Sequence, residues 1–490
     1  MAPCNSALLI KRWYRQQSKC FELWVCCRQA IIANLYIESG LPLKREIKWL
    51  KSSMNNISYI VMCVIPAVLI LLPGYIATAT LPSDSNNTPV MNDQNMKAEL
   101  VVKGLESPTS MAFIGPNDFL VLEKNSGTVQ RIVNGEKLSE PLIDLDVANT
   151  DGLLGIAIEK NVTTKQKAVT KNSTYVFLYF TASKKEDEDT KIGITPLENR
   201  LYRYELVNNT LTNPKLLLNL PAGFMHNGGA ILIGPDKNVY VTVGQVTPKD
   251  EPPVKSKALN YQNGREPDGR GGILRVDDDG SRVGINGILG NEEPLDKYYA
   301  YGIRSSFGID FDPITGKLWD TENGPDFGDE INLVEPGFNS GWKKVQGFWK
   351  IAPGEKVGKR TPVTPDNLVN FDGKGKYRSP EFTWRHTVGP TTLKFLTTDK
   401  LGKQYENDML IANVNTGKIY HFELNQNRTG LLLNDSLKDK VGNTYDELDP
   451  EVFARGFGII TDLEIGPDGY LYVVALNDGK IYRVVPSRPD

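Results

Sequence analysis

A short pattern recurs along this chain and restricts the architectures open to it. An apolar pair leads into a Gly-Pro-Asp-type turn, then an alternating strand, then Gly-x-apolar-x-basic. The unit reads FIGPNDFLVLEKNSGTVQRIVNG from Phe113 and EIGPDGYLYVVALNDGKIYRVVP from Glu464. Partial copies are LIGPDKNVYVTVG from Leu232, FDPITGKLWDTENG from Phe311, GGILRVDDDG from Gly271 and TGKIYHFEL from Thr416. Alternation as in Tyr470-Leu471-Tyr472-Val473-Val474 sends one set of side chains into a core and the other toward a neighbouring sheet. The Pro-Asp-Gly and Asn-Asp-Gly turns supply the left-handed positions that tight hairpins need. A repeated strand pair without a long amphipathic helix predicts an all-β fold, a β-propeller of four-stranded antiparallel sheets around a central channel. The span 98–490, divided into blades of roughly 50–65 residues, makes six or seven blades, and six is the expectation. Two polar stretches, Thr247–Asp268 and Ile351–Pro380, read as loops on a functional rim rather than strands.

The beginning of the chain is different in kind. All five cysteines (Cys4, Cys20, Cys26, Cys27 and Cys63) lie there, so no disulfide can staple the remainder, which must be held by its own core. Residues 1–56 form a basic leader, and Met54 would begin a shorter, more ordinary one. Residues 57–81 (ISYIVMCVIPAVLILLPGYIATATL) carry no charge and follow Lys44, Arg45, Lys48 and Lys51. Such a run enters a bilayer with its basic side inward. Ala77-Thr78-Ala79 offers a cleavage site, so the run is a signal peptide or, uncut, an anchor. Residues 82–97 read as a polar linker and 98–490 as the propeller. The expected location is extracellular or cell-surface. Formal net charge is −3, and no basic stripe follows the leader, which speaks against nucleic acid as a partner.

Three histidines invite weighing. His421 alternates within KIYHFEL and reads as a half-buried strand residue, and His386 as a turn residue beside Trp384. His226, in GFMHNGGAILIGPD, precedes two glycines that let a backbone or ligand approach closely, so it is either a loop histidine or a catalytic one. In TENGPDFGDEINLVEPGFNSGW, Glu322, Asp326, Asp329 and Glu330 crowd a turn broken by Gly324, Pro325 and Gly328. Crowded carboxylates repel unless a cation sits among them, and a hard cation such as Ca²⁺ takes carboxylate and carbonyl oxygens. The alternative is a solvated acidic loop. Asp277-Asp278-Asp279-Gly280 reads as a plain turn. Arg304, in YAYGIRSSFGIDFDP, is a surface residue or, beside a cation site, a grip for an anionic ligand.

These segments, in this order, resemble the soluble quinoprotein glucose/sorbosone dehydrogenases over roughly residues 98–487. The anchors are DGLLGIAIEKN from Asp151, HNGGAILIGPD from His226, YGIRSSFGIDFDP from Tyr301, GPDFGDEINLVEPGFNSGW from Gly324 and ITDLEIGPDGYLYV from Ile460. The resemblance implies a six-bladed propeller that binds pyrroloquinoline quinone (PQQ) and Ca²⁺, oxidises an aldose at C1 and passes electrons to an external acceptor. It implies His226 as general base, Arg304 on the quinone oxygens, and the Gly324 and Pro325 carbonyls on the calcium beside the cofactor. It also implies a second calcium site at Asp329, Glu330 and the Ser340 carbonyl.

The sequence departs from the family pattern at several of these places. Gln245 stands where an aspartate would orient His226. Glutamine can accept the ring N–H but cannot stabilise an imidazolium by charge. Ser305, Ser306 and Phe307 follow Arg304 where the family has a different triplet, and Thr150, Asn415, Ile459 and Thr461 replace a glutamine, a lysine and two arginines. Lys418 and Arg455 are nearby cations that could stand in. The expected function is a PQQ-dependent sugar or related alcohol dehydrogenase. The alternative is a catalytically silent, calcium-stabilised propeller that binds glycan or a surface protein.

Overall fold

The structure is a computed structural model that describes residues 89–148, 151–166, 169–183, 196–248, 252, 254–352, 356–357 and 368–487. The basic leader, the uncharged run over 57–81 and Thr150 lie outside the described residues. Among the described residues no helix is long and apolar enough to cross a membrane.

The body is an all-β propeller. Six sheets of four or more strands follow one another along the chain among the described residues. Their innermost strands are Pro108–Gly115, Leu153–Gln166, Ile231–Ile233, Ser306–Phe311, Pro390–Phe395 and Ile460–Ile465. Each sheet's inner edge packs against the next, and Ile460–Ile465 returns to Pro108–Gly115, so the series closes on itself. Pairing within the sheets is antiparallel except where short outer strands join, as Phe338 beside Ala300 and Val441 beside Thr383.

The repeat seen in the sequence has a shared internal chemistry. Tyr240 Oη donates to Asp236 at 3.0 Å and Tyr472 Oη donates to Asp468 at 3.0 Å. In each copy the same aspartate also accepts the backbone N–H two residues on, at 3.2 Å. A Cβ on Gly234 or Gly466 would lie 2.6 Å or 2.5 Å from the ring of that tyrosine, which is why the turn begins with glycine. The rings then bind sheet to sheet. Tyr472 meets Phe113 edge-on at 4.9 Å, and Tyr240 meets Phe311 at 5.1 Å. Both faces of Leu471–Ala475 are buried, as alternation between two sheets requires.

The ordered body reaches back into the segment read as a linker. Val90–Met91 pairs with Ala454 and Arg455 in the fifth sheet, and Met96–Lys103 pairs with Lys480–Pro486 as the outer strand of the last. Polar composition between them hid two edge strands whose hydrogen bonds come from distant partners. The stretch Ile351–Pro380 was likewise expected to be strand-free. It contains part of Trp349–Ala352, with Lys356–Val357 and Lys376–Tyr377, all in short added edges.

Candidate active site

The channel holds a cavity of 350 Å³ reached by all six inner strands, through residues such as Ser110, Leu154, Ile231, Ile309, Thr392 and Thr461. Its middle is acidic but satisfied. Asp462 accepts from Ser110 Oγ at 2.8 Å and Met111 N at 2.9 Å, and Lys394 Nζ reaches Glu464 at 2.9 Å. Burial works against charge on Lys394, but Glu464, Asp310 and Asp462 outweigh it and hold the ammonium protonated. Asp462 itself is pushed up to about 7 by burial and by Glu464.

At one end of the channel three connections converge. His226 lies between the second and third sheets, Arg304 between the third and fourth, and Gln245 just after the strand Val239–Val243. Backbone bonds tie them: Gln245 N–H donates to the Arg304 carbonyl at 2.8 Å and Val246 N–H to the His226 carbonyl at 3.2 Å. Gly244 makes this possible, since a Cβ there would lie 2.2 Å from the His226 oxygen and 3.0 Å from that of Arg304. His226 sits at φ 62°, a left-handed conformation. The buried Asn227 beside it fastens the loop, bonding Asn199, Gly223 and Asp151. His226 is therefore placed by its neighbour's amide and by glycines on both sides.

Around His226, Nδ1 lies 3.0 Å from Thr247 Oγ1 and 3.2 Å from the amide nitrogen of Gln245. The Gln245 oxygen accepts the indole N–H of the fully buried Trp342 at 2.8 Å. The expectation that Gln245 accepts the ring N–H is thus corrected: its oxygen is taken, and its nitrogen faces the imidazole. Burial, and then the charge of Arg304, lower the His226 pKa to about 4, so the ring is neutral at physiological pH.

Trp342 and Lys343, which the sequence reading passed over, complete this end. The Arg304 guanidinium carbon lies 5.4 Å from the Trp342 ring centre and Lys343 Nζ lies 4.4 Å from it. Burial and the neighbouring Arg304 charge bring Lys343 down to about 8, and burial brings Arg304 to about 10 despite Glu322, Asp329 and Asp326. Arg304 Nη1 donates to the Asn323 carbonyl at 2.8 Å, while Nε is buried without a partner. The signal available in the sequence was the Trp-Lys pair closing the acidic motif.

The acidic loop is saturated with donors. Asp329 accepts Gly324 N–H at 2.8 Å and the Val388 and Gly389 N–H groups at 2.7 Å, so it clamps the Gly324–Pro325 turn to the fifth sheet's entry. Glu330 accepts from Gln346, Gly347 and Asn332. It lies directly across from Glu322, and Ser340 Oγ sits between them, 2.6 Å from Glu322 and 3.1 Å from Glu330, with one hydrogen to give. Burial raises Glu322 to about 7 and Asp329 to about 6, and burial with the Glu322 charge raises Glu330 well above the usual carboxylate range. No group of three or more His, Cys, Asp or Glu side chains among the described residues is arranged to hold a metal ion.

The family anchors that changed are committed elsewhere. Asn415 Nδ2 donates to the Thr387 carbonyl at 3.1 Å, Thr461 Oγ1 to the Pro108 carbonyl at 3.0 Å, and Ile459 lines the cavity. Lys418 pairs with Asp449 and Arg455 bonds Asn92, so neither expected substitute serves the site. His421 bonds Asp408 at 2.9 Å from within its strand, as its alternation indicated.

Comparison with known proteins agrees with this fold. The family model for Glucose / Sorbosone dehydrogenase matches residues 105–483, and the chain belongs to that family. It is an enzyme of the oxidoreductase class. Quinoprotein glucose dehydrogenase B of Acinetobacter calcoaceticus is 28% identical over 469 residues, covering 83% of this chain and 91% of that protein. Aldose sugar dehydrogenase YliI of Escherichia coli is 22% identical, covering 80% and 93%. The PQQ-bound form of aldose sugar dehydrogenase from Streptomyces coelicolor has a TM-score of 0.53 at 21% identity, covering 80% and 98%, a likeness of fold.

Proposed function

We propose that this chain oxidises an aldose sugar or related alcohol with PQQ, on a propeller of six blades, outside the cytoplasm. The observation that carries the reading is the pair of cations astride Trp342 beside a neutral, buried histidine. A buried guanidinium beside a second cation favours an anion, and PQQ bears three carboxylates. Arg304 and Lys343 would hold it in place of the lost basic anchors, and when bound it supplies a two-electron acceptor for the hydride of the sugar C1. His226 would meet the C1 hydroxyl through Nε2, which has no hydrogen-bond partner among the described residues. A neutral imidazole can take that proton at Nε2 only in the tautomer that carries its own proton on Nδ1.

Calcium enters this reading only through the Gly324 and Pro325 carbonyls. Asp329 and Glu330 already accept several hydrogen bonds each, and the Ser340 carbonyl beside them completes the set the resemblance implies for a second calcium; no step is assigned to an ion. The location rests on the uncharged run over 57–81 and its basic flank. Electrons would leave to an external acceptor. Family membership favours the enzyme over the catalytically silent glycan-binding alternative. Titrating the purified protein with PQQ in calcium buffer, then adding aldose, tests the reading. Saturable binding with sugar-dependent reduction of the quinone supports it, whereas absence of binding returns the silent alternative to first place.

A further inference from the structure

We propose that Trp342, acting through Gln245, fixes the tautomer of His226 with Nδ1 as acceptor and the proton on Nε2. An indole N–H can only donate, so the 2.8 Å contact from Trp342 Nε1 identifies the Gln245 atom it meets as the oxygen. The amide's other end, a nitrogen that only donates, must then face His226 Nδ1 at 3.2 Å. A proton on Nδ1 would oppose the Gln245 N–H₂, which Trp342 holds in that orientation, in a buried place where Gln245 is 8% and Trp342 0% exposed. Thr247 Oγ1, 3.0 Å from Nδ1, can turn its own hydrogen toward that lone pair while its oxygen faces the amide N–H₂ at 3.5 Å. The neutral ring has one proton to place, and Nε2 is the position left.

The consequence for chemistry rests on the dehydrogenase reading; the tautomer does not. With Nε2 protonated, His226 offers the ligand a hydrogen-bond donor, suited to a carbonyl or ether oxygen. To take a hydroxyl proton at Nε2, the ring must first lose its proton there and gain one at Nδ1, against the Gln245 amide. Trp342 and Gln245 are therefore positioning residues that hold this histidine back as a base. A carboxylate at 245 would remove that restraint, accepting Trp342 N–H with one oxygen and Nδ1–H with the other.

Long-range ¹H–¹⁵N correlation spectra of the cofactor-free, histidine-labelled protein near neutral pH test the assignment, with only three histidines to resolve. The expected result is an unprotonated Nδ1 and a protonated Nε2 for His226, inverted in Trp342→Phe and in Gln245→Asp. A protonated Nδ1 in the wild type, or an unchanged tautomer in a folded Trp342→Phe, overturns the proposal. If Trp342→Phe does not fold, Gln245→Asp alone decides by the same spectrum. In the loaded enzyme Gln245→Asp should raise kcat with KM little changed. The expected tautomer without turnover in any variant would sink the dehydrogenase reading and leave this one standing.

Discussion

The middle of the channel and its His226 end are both lined by buried charge, yet they are built on opposite plans. In the middle, Lys394 is enclosed by Asp310, Asp462 and Glu464, and every partner is a strand of the ring itself. At the end, Arg304 and Lys343 crowd one tryptophan that reaches His226 through Gln245, and Arg304 lowers the proton affinity of both Lys343 and His226. The first arrangement is complete without a ligand and serves the fold. The second sets two cations on one ring, and such a cluster of perturbed groups marks a candidate binding end rather than a structural core of similar polarity.

The largest effect that would separate the two is on stability. Lys394→Met leaves Asp310, Asp462 and the part-exposed Glu464 without their counter-charge and should cost about 3 kcal/mol in denaturant unfolding. A harmless Lys394→Met would erase the distinction. Arg304→Ala should leave stability within about 1 kcal/mol while weakening PQQ binding roughly 10- to 150-fold, the worth of one charge-assisted contact. Equal losses of stability and affinity would make Arg304 a structural residue instead. Lys343→Met sharpens the point through pH. Lys343 is charged below about 8, so the variant should bind PQQ more weakly than wild type near neutrality and equally well once the buffer is well above that value. A deficit that persists at high pH would mean the stem, not the charge, makes the contact.

The smallest effect concerns His226. Its folded pKa of about 4 lies below the ordinary 6.5, so the neutral ring persists on acidification until pH falls through about 4. An activity limb there is expected in the wild type, shifted to higher pH in Gln245→Asp, where a carboxylate favours the imidazolium. A limb near 6.5 in the wild type would show that the ring is solvated during turnover.

The repeat was legible in the sequence because its chemistry is local. Asp236 and Tyr240, or Asp468 and Tyr472, are four residues apart and bond within one hairpin. The edge strands at Val90 and Met96 were not legible, because their partners lie near the other end of the chain and nothing in their own composition names them. The site divides the same way. His226, Arg304 and the Gly324 turn stood out by motif. The orientation of Gln245 did not, because it depends on Trp342, 97 positions away. Lys343 was equally silent: two adjacent lysines after a tryptophan look like surface until the third and fourth sheets bring Arg304 over the same ring. The acidic motif divides likewise: Gly324 and Asn332, which donate to Asp329 and Glu330, lie within it, whereas Gln346, Gly347, Val388 and Gly389 lie beyond it.

The pairing of Met96–Lys103 with Lys480–Pro486 has a consequence for biosynthesis. Glu99 and Arg483, which meet across that seam, are 384 positions apart. Met96–Lys103 leaves the ribosome with no partner on that side and keeps an open hydrogen-bonding edge until Lys480–Pro486 has been made. Such an edge invites pairing with other chains, so the interval between the two syntheses is when this protein is most exposed to aggregation. Deletion of Lys480–Pro486 would therefore unlatch Met96–Lys103, and chaperone demand should track the time taken to translate everything between.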